Sequence, residues 1–494
     1  MDGDKLLNFR PMCAAALLLA VGVAVSRYVR GTPYLIVACF ICVAAFGVLM
    51  FVQRYRWAAL TAILLISLLR GAAAYPAPII EGEYSICGVV CEAPVYRDSR
   101  CEVVLEDVSL NGSALDGRLL AFVYFDGLEY GDAFEARGNV YLARDTEDFD
   151  AYHHQLSNGI VALADTYNVR IVGSRDADLY GVLLNMRGAL IDASRELFGV
   201  DSGIVEGMLL GDKTGIRDSV LQSFRDSGVA HLFAVSGLHV SIFAAALTLA
   251  LRRANPWARL GVVAVFLFVY CALTAFPASL VRASLMTLFV LLADPLKRRY
   301  DVLSSLCAAL IVILLVNPFE LYTAGLQLSF LCVYAIAMLT PPLHRAMGRV
   351  HDAVALPISV AVSGTVGSAP LSAHYFSRLP LVGVFTNVLI MPLVPLIVVP
   401  ALLAIALYFI WTPLAHALAW AALFVLRLVK DYVTAVASVS FGTITVASPP
   451  LSVALLMYLP MLLASDYCLL EKKKKLLCAV LAAAIALVLL ATVN

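Results

Sequence analysis

Apolar runs of nearly membrane-spanning length recur along most of this sequence, and they leave few choices of fold. Three open it, at 11–26, 33–52 and 57–74. From 231 onward the chain is almost continuously apolar, with runs near 231–251, 260–276, 279–293, 302–316, 321–340, 353–370, 381–410, 413–430, 451–468 and 476–493. A bilayer offers backbone groups no water, so such runs must satisfy themselves as helices. Some fall short of the roughly 20 residues of an ideal span, which local thinning tolerates. Charged residues make up only 14% of the chain, against about 25% in soluble proteins. The expected fold is a polytopic α-helical membrane protein. The first run reads as a span rather than a signal peptide, because no cleavage-like site follows it and two more runs do. The 381–410 run is too long for one span and holds Pro392, Pro395 and Pro400, so it is expected to be broken or re-entrant. The stretch 431–450 is too polar to assign.

Residues 79–175 are of another material. Apolar and polar residues alternate at 84–93, 100–109, 116–125 and 132–141, with the turn dipeptides Asn111-Gly112 and Asp126-Gly127 between them. A further short run, Asn168 to Val172, completes five strands, which suits an inserted small all-β, OB-like domain. OB folds often hold single-stranded nucleic acid in a basic groove. Here the segment carries 17 Asp and Glu, 7 Arg and no Lys. That charge repels phosphate. Tyr96, Tyr124, Phe125 and Tyr130 offer stacking faces, but a scaffold or protein-docking role fits the charge better.

Four regions are therefore expected: three spans in 1–78, the β-domain in 79–175, amphipathic interfacial helices in 176–229, and a polytopic domain in 230–494. In the third, Leu179, Leu183, Met186, Leu190, Ala193 and Leu197 repeat at helical spacing with polar residues on the other faces. Charge supplies an orientation. Lys5, Arg10, Arg54 and Arg56 mark the inside, with Arg27 and Arg30 dissenting. Three spans then leave the β-domain outside the cytoplasm. Arg252, Arg253, Arg259, the run 297–299 and Lys472 to Lys475 agree with this assignment.

The eleven cysteines show no recurring zinc spacing, and no metal or cofactor is expected. Cys39 and Cys42 form a lone CxxC within a span and read as packing residues. Cys87, Cys91 and Cys101 share the β-domain placed in the oxidising compartment, so a disulfide, if one forms, is expected to join two of them, although the domain can fold without one.

Polar residues cluster where the apolar region begins. The stretch 211–251 runs GDKTGIRDSVLQSFRDSGVAHLFAVSGLHVSIFAAALTLAL. Asp212, Lys213, Arg217 and Arg225 precede His231, Ser236, Gly237 and His239. On one α-helix, His231, Ser236 and His239 would share a face. A nucleophile–base pair is conceivable for Ser236 and His239, but AVSGL is not a GxSxG elbow and no acid is spaced to orient the histidine. Helix packing or pore lining is the simpler role. GDKTG is likewise not a P-loop. Arg282 lies inside an apolar run, where a charge must pair or face water. Gln327, Ser329 and Asn387 are neutral polar residues in later spans. With Lys213, Arg217, Arg225 and Arg378, Arg282 would give a polyanion a mildly cationic path.

This pattern resembles the ComEC-type competence proteins, bacterial inner-membrane DNA-uptake channels. The resemblance rests on GDKTG at 211–215 with AHLFAVSGLHV at 230–240, then PASLVRA at 277–283, NP at 317–318, AGLQLSF at 324–330 and TNVLIMPLVPL at 386–396. Upstream, YGDAFEARGNV at 130–140 and FDAYHHQLSNGI at 149–160 resemble the family's extramembrane domain. It implies a channel in the cytoplasmic membrane that passes single-stranded DNA during natural transformation. It also implies a separate DNA receptor. No ATP-binding motif is present, so the motor is expected to be another, cytosolic chain. The family commonly carries a metallo-β-lactamase-like nuclease domain, whose HxHxDH motif does not occur here, and whether a separate nuclease takes its place is left open. The competing functions are a small-molecule or lipid transporter and an intramembrane serine/histidine hydrolase. The oligomeric state is not legible.

Overall fold

The structure, a computed structural model, describes residues 11–29, 33–97, 100–125, 127–146, 150–175, 179–380, 382–439 and 442–467. The expected span at 476–493 lies outside the described residues, as do Lys5, Arg10, Arg30, Cys468, Cys478 and Lys472 to Lys475. The chain divides into two compact units: Ala14–Arg187 with Ile311–Thr323, and the remainder.

In the first unit the helices Pro11–Val29, Pro33–Phe51 and Tyr55–Ala73 occupy the first three apolar runs. The middle one exposes Ile36, Phe40, Ile41 and Phe51, an apolar surface of the kind that meets lipid or another protein. The outer two cross closely through small residues. A Cβ on Gly22 would overlap the Ser67 side chain, and one on Gly71 the Ser26 side chain. Both serines are buried and return their hydroxyls to their own helices, Ser26 to Val23 O and Ser67 to Leu64 O, each at 2.7 Å. This is the small-residue packing that brings membrane helices together.

The same unit contains the β-domain. Its strands are β1 (Gly82–Val90), β2 (Val95–Arg97), β3 (Arg100–Leu110), β4 (Ser113–Ala114), β5 (Arg118–Val123), β6 (Asp132–Tyr141) and β7 (Ile160–Ser174). The five long ones close a ring. β1 pairs antiparallel with β3, β3 with β5, β5 runs parallel to β7, β7 pairs antiparallel with β6, and β6 returns to β1. Ring closure leaves no long unpaired edge. Alternate residues such as Ile86, Val103, Leu105, Leu119, Ala121, Phe134 and Val140 fill the interior and are essentially inaccessible. The last strand begins eight residues before the expected 168–172. Its opening residues Ile160, Val161 and Ala162 are all buried, so they show no period-2 signal. The structure forms no bond between any two of Cys87, Cys91 and Cys101. The register sets Cys87 opposite Ser109, the Cys91 N–H on Val104 O, and Cys101 opposite Val123. No two occupy facing positions, whereas a bridge needs Cα atoms within about 7 Å.

A polar cluster joins elements of this unit. Asp150 caps the helix Ala151–Ser157, accepting from the His153 backbone at 3.1 Å and from His153 Nδ1 at 2.7 Å. Arg27 donates to its other oxygen at 2.7 Å. His153 Nε2 meets the Tyr75 hydroxyl at 2.9 Å, and its ring lies 4.4 Å from that of Tyr322. Burial pulls the Asp150 carboxyl up, but hydrogen bonds from His153 and the charges of His153 and Arg27 prevail and hold it at about 2. A folded pKa below the unfolded one stabilises the fold above the unfolded value of 3.8. That contribution, on the order of 2 kcal/mol, is lost as pH falls through about 2. Asp150→Asn is therefore expected to lower the melting temperature of the purified protein at pH 6, with the difference shrinking at pH 3. A pH-independent difference would assign the effect to packing.

Six described helices are long and apolar enough to cross a membrane: Pro11–Val29, Pro33–Phe51, Pro256–Leu273, Ala324–Ala346, Asp352–Phe376 and Thr412–Ala437. A seventh candidate is the pair Gly383–Ile390 and Val394–Tyr408, bent by 52° at the expected proline-rich break. The protein is a multi-pass membrane protein. Shorter apolar helices include Gly237–Ala250, Ala278–Ala293 and Val302–Val316. The expected single span at 451–468 is instead two short helices, Leu451–Leu456 and Leu459–Ala464, interrupted ahead of Pro460. Across the polar stretch left unassigned, Thr412–Ala437 continues well past 430, and Thr443–Thr445 pairs with Arg378–Pro380.

The 176–229 region is only partly interfacial in character. Asp218–Asp226 is amphipathic, burying Phe224 while Arg217 and Arg225 stay exposed. Ser202–Leu210, by contrast, is buried on every side from Gly203 to Leu210. Its GIVEG spacing explains how it fits. A Cβ on Gly203 would overlap the backbone of Gly215, and one on Gly207 would lie 2.9 Å from Ile216 and 3.1 Å from Phe233.

Candidate functional site

The helix expected from 231 begins only at Gly237. Ala230–Phe233 is a single 3-10 turn, and the chain is extended at Ala234 and Ser236 before the helix starts. His231 therefore does not share a helix face with Ser236 and His239. It sits on the turn and is exposed. Ser236 is the N-cap residue, and His239 closes a capping box with it. His239 Nδ1 accepts the Ser236 N–H at 3.2 Å and lies 3.3 Å from Ser236 Oγ. Helix starts leave N–H groups without internal partners, and this arrangement satisfies two of them. The contact that would resemble a nucleophile–base pair is thus accounted for by capping. His239 is fully buried, and its Nε2 has no hydrogen-bond partner among the described residues.

Arg282 lies against this helix start. It is 6% exposed, which rules out snorkelling to an interface. Its Nε donates to Ser329 Oγ at 2.8 Å, Nη1 approaches Met286 Sδ at 3.5 Å, and the guanidinium stands 5.8 Å over the Phe330 ring. A Cβ on Gly237 would come within 3.1 Å of Nη2. The glycine is what admits the arginine to the helix end. Nearby, Ser279 Oγ donates to Val235 O at 3.0 Å, fastening the extended segment. Gly237, Arg282 and Ser329 thus come from three different helices. Asp294, the nearest acid in sequence downstream, is committed to Arg259 at 2.7 Å. Among the described residues no carboxylate pairs with Arg282.

The electrostatics of this junction are one-sided. A helix N-terminus carries about half a positive charge, and a full guanidinium charge is set beside it. The partners of Arg282 are a hydroxyl, a thioether and a ring, none of them anionic. Both charges at this junction are of one sign, the kind that favours an anion.

The remaining residues fall in other places. In the GDKTG loop, Gly211 takes a left-handed conformation (φ +73°) to end the Ser202–Leu210 helix. Asp212 Oδ1 accepts from the Thr214 N–H at 3.0 Å and its hydroxyl at 2.6 Å. Gly215 presses on Gly203. These glycines serve a tight turn and close packing. Partial burial, then repulsion from Arg225, pushes the Lys213 ammonium below its usual pKa. Arg217 lines an open groove with Lys430, Asp431 and Thr434. Lys430 itself pairs with Asp201 at 2.5 Å. Arg378 is tied to Asp226 at 3.2 Å. Gln327 accepts from the Tyr375 hydroxyl at 2.9 Å, an interhelical bond. Asn387 Oδ1 is buried without a partner among the described residues. Ser279, Phe330 and the Gly203–Gly207 pair join the site without a charge that would mark them in the sequence. The small-xxx-small spacing of GIVEG was the available signal for the last.

A family model described as "Competence protein" matches residues 208–473. The chain is 28% identical over 281 residues to "ComE operon protein 3" of Bacillus subtilis (strain 168), covering 54% of this chain and 34% of that protein. It is 29% identical over 242 residues to "Competence protein ComA" of Neisseria gonorrhoeae, covering 46% and 33%. The chain spans about a third of the length of the curated relatives it matches. No solved structure matches.

Proposed function

We infer that this chain, which belongs to the competence protein family, passes single-stranded DNA across the cytoplasmic membrane during natural transformation. The observation that carries the reading is Arg282, buried without a carboxylate beside the N-terminus of Gly237–Ala250. An arginine held inside a membrane domain costs free energy unless something anionic or aqueous reaches it. Phosphates passing one after another would supply that charge without a fixed partner, and a guanidinium fork suits them. Lys213, Arg217 and Arg225 supply a cationic approach on a different segment. The Ser236–His239 pair is assigned to capping rather than hydrolysis. The driving force is assigned to a separate cytosolic ATPase and capture to a separate DNA receptor.

The β-domain is assigned an OB-like fold. Supporting this is its ring order, in which the first, second and third long strands are followed by the fifth and then the fourth. Its net acidity favours docking of a protein over direct DNA binding. An extracytoplasmic position follows if Tyr55–Ala73, a shorter apolar helix, crosses as a third span after Pro11–Val29 and Pro33–Phe51. Arg27, which dissented from the charge rule, is neutralised by Asp150. A cysteine placed at exposed Ser113 should react in whole cells with a membrane-impermeant thiol reagent; protection until lysis would reverse the orientation.

Uptake of labelled duplex DNA by competent cells tests the function. Deleting the gene should leave label bound at the surface but absent from the cytoplasm, and the intact gene should restore entry. Undiminished entry in the deletion would remove the channel assignment.

A further inference from the structure

Two cysteines from distant parts of the chain meet in the second unit. Cys13, near the start of Pro11–Val29, and Cys307, in the first half of Val302–Val316, are separated by 294 positions, yet their sulfurs lie 3.3 Å apart. Neither is fully buried. Met12, Ser304 and Ala308, on the same two helices, line an open cavity of about 400 Å³ together with Arg298, Arg299 and Tyr300. A disulfide sulfur pair is about 2.05 Å apart, so closing the bond needs a sulfur displacement of about 1.3 Å, within reach of side-chain rotation.

We propose that Cys13 and Cys307 form a reversible disulfide, driven by a small-molecule disulfide oxidant, that covalently fastens the first helix to the Val302–Val316 helix. One cysteine thiolate attacks a sulfur of the oxidant, forming a mixed disulfide and expelling one small thiolate. The neighbouring thiolate then attacks the protein sulfur of that mixed disulfide. The Cys13–Cys307 bond forms and the second small thiolate leaves. The two protein thiols give up two electrons and two protons, and the oxidant takes them up as two small thiols. A dithiol reductant reverses both steps.

The test uses membranes containing the full chain, treated with 2,2′-dithiodipyridine, blocked with N-ethylmaleimide, digested and mapped by mass spectrometry. The wild-type chain should yield a linked peptide pair containing Cys13 and Cys307, abolished by dithiothreitol. In Cys13→Ser, Cys307 should instead be trapped as its thiopyridine mixed disulfide, since the resolving thiol is gone. Recovery of wild-type Cys13 and Cys307 as separate thiopyridine or maleimide adducts would overturn the proposal. So would linkage of either one chiefly to another cysteine.

Discussion

Arg282→Gln is expected to abolish most DNA uptake while leaving the amount of protein in the membrane unchanged. The charge is buried at 6% exposure and meets no carboxylate among the described residues. A membrane-buried arginine costs about 2.5–3.5 kcal/mol on insertion scales. Removing it relieves that cost, so insertion should not suffer. A hydrogen bond to a charged group contributes about 1.5–3 kcal/mol, which corresponds to a loss of roughly 10- to 100-fold in rate. Lysine keeps the charge but loses the fork and the Nε bond to Ser329, so Arg282→Lys should retain partial uptake. Ser236→Ala serves as comparison, because it removes only a capping hydroxyl worth about 1 kcal/mol and should leave transport largely intact. Disappearance of both Arg282 variants from the membrane would make the residue structural. Normal uptake by Arg282→Gln would place the DNA path elsewhere.

Gly203→Ala should have the largest effect on folding of any single methyl addition near the site. The added carbon would overlap the carbonyl of Gly215 and lie 3.0 Å from its Cα. These are backbone atoms of the GDKTG turn, so relief requires moving the loop or the wholly buried Ser202–Leu210 helix. Overpacking of this kind costs about 1–3 kcal/mol. Folded protein recovered in detergent should fall sharply, with a lower melting temperature. Gly261→Ala is the matching test of method. It sits in a helix with nothing within 4 Å of the new carbon, so helix propensity predicts no loss. Equal behaviour of the two variants would contradict the close approach of Gly203 and Gly215.

Much of the architecture could be read from the sequence, because the bilayer forces apolar runs into helices and alternation marks half-buried strands. Pro392 and Pro395 announced the break in 381–410, and four of the five long strands fell close to their alternating segments. Burial removed the signal elsewhere. Ile160 to Ala162 lost their alternation to it. In Ser202–Leu210 the small residues, not an amphipathic stripe, govern the packing. The start of the helix at Gly237 was hidden, because AHLFAV is apolar enough to continue one and only Ser236 and His239 mark the cap. The site was legible as residue types and not as an arrangement. Arg282 was conspicuous as a charge in an apolar run. Nothing in the spacing of PASLVRA, AVSGL and AGLQLSF shows that Arg282 bonds Ser329 and rests on Gly237. Gln327, two residues before Ser329 and so about 200° around the same helix, looked equivalent to it and instead bonds Tyr375.

The central claim is that the junction of Gly237, Arg282 and Ser329 becomes wet and anion-accessible on the DNA path. Replacing Ser329 by cysteine puts a reporter 2.8 Å from the position of the guanidinium Nε. The measurement is labelling of that cysteine, mapped by mass spectrometry, with a small anionic thiosulfonate in energised membranes, before and after a DNA strand is arrested in transit. The account predicts labelling that falls when the strand is present. No labelling by the anionic reagent under any condition, with ready labelling by an apolar maleimide, would show a dry packing contact and contradict it.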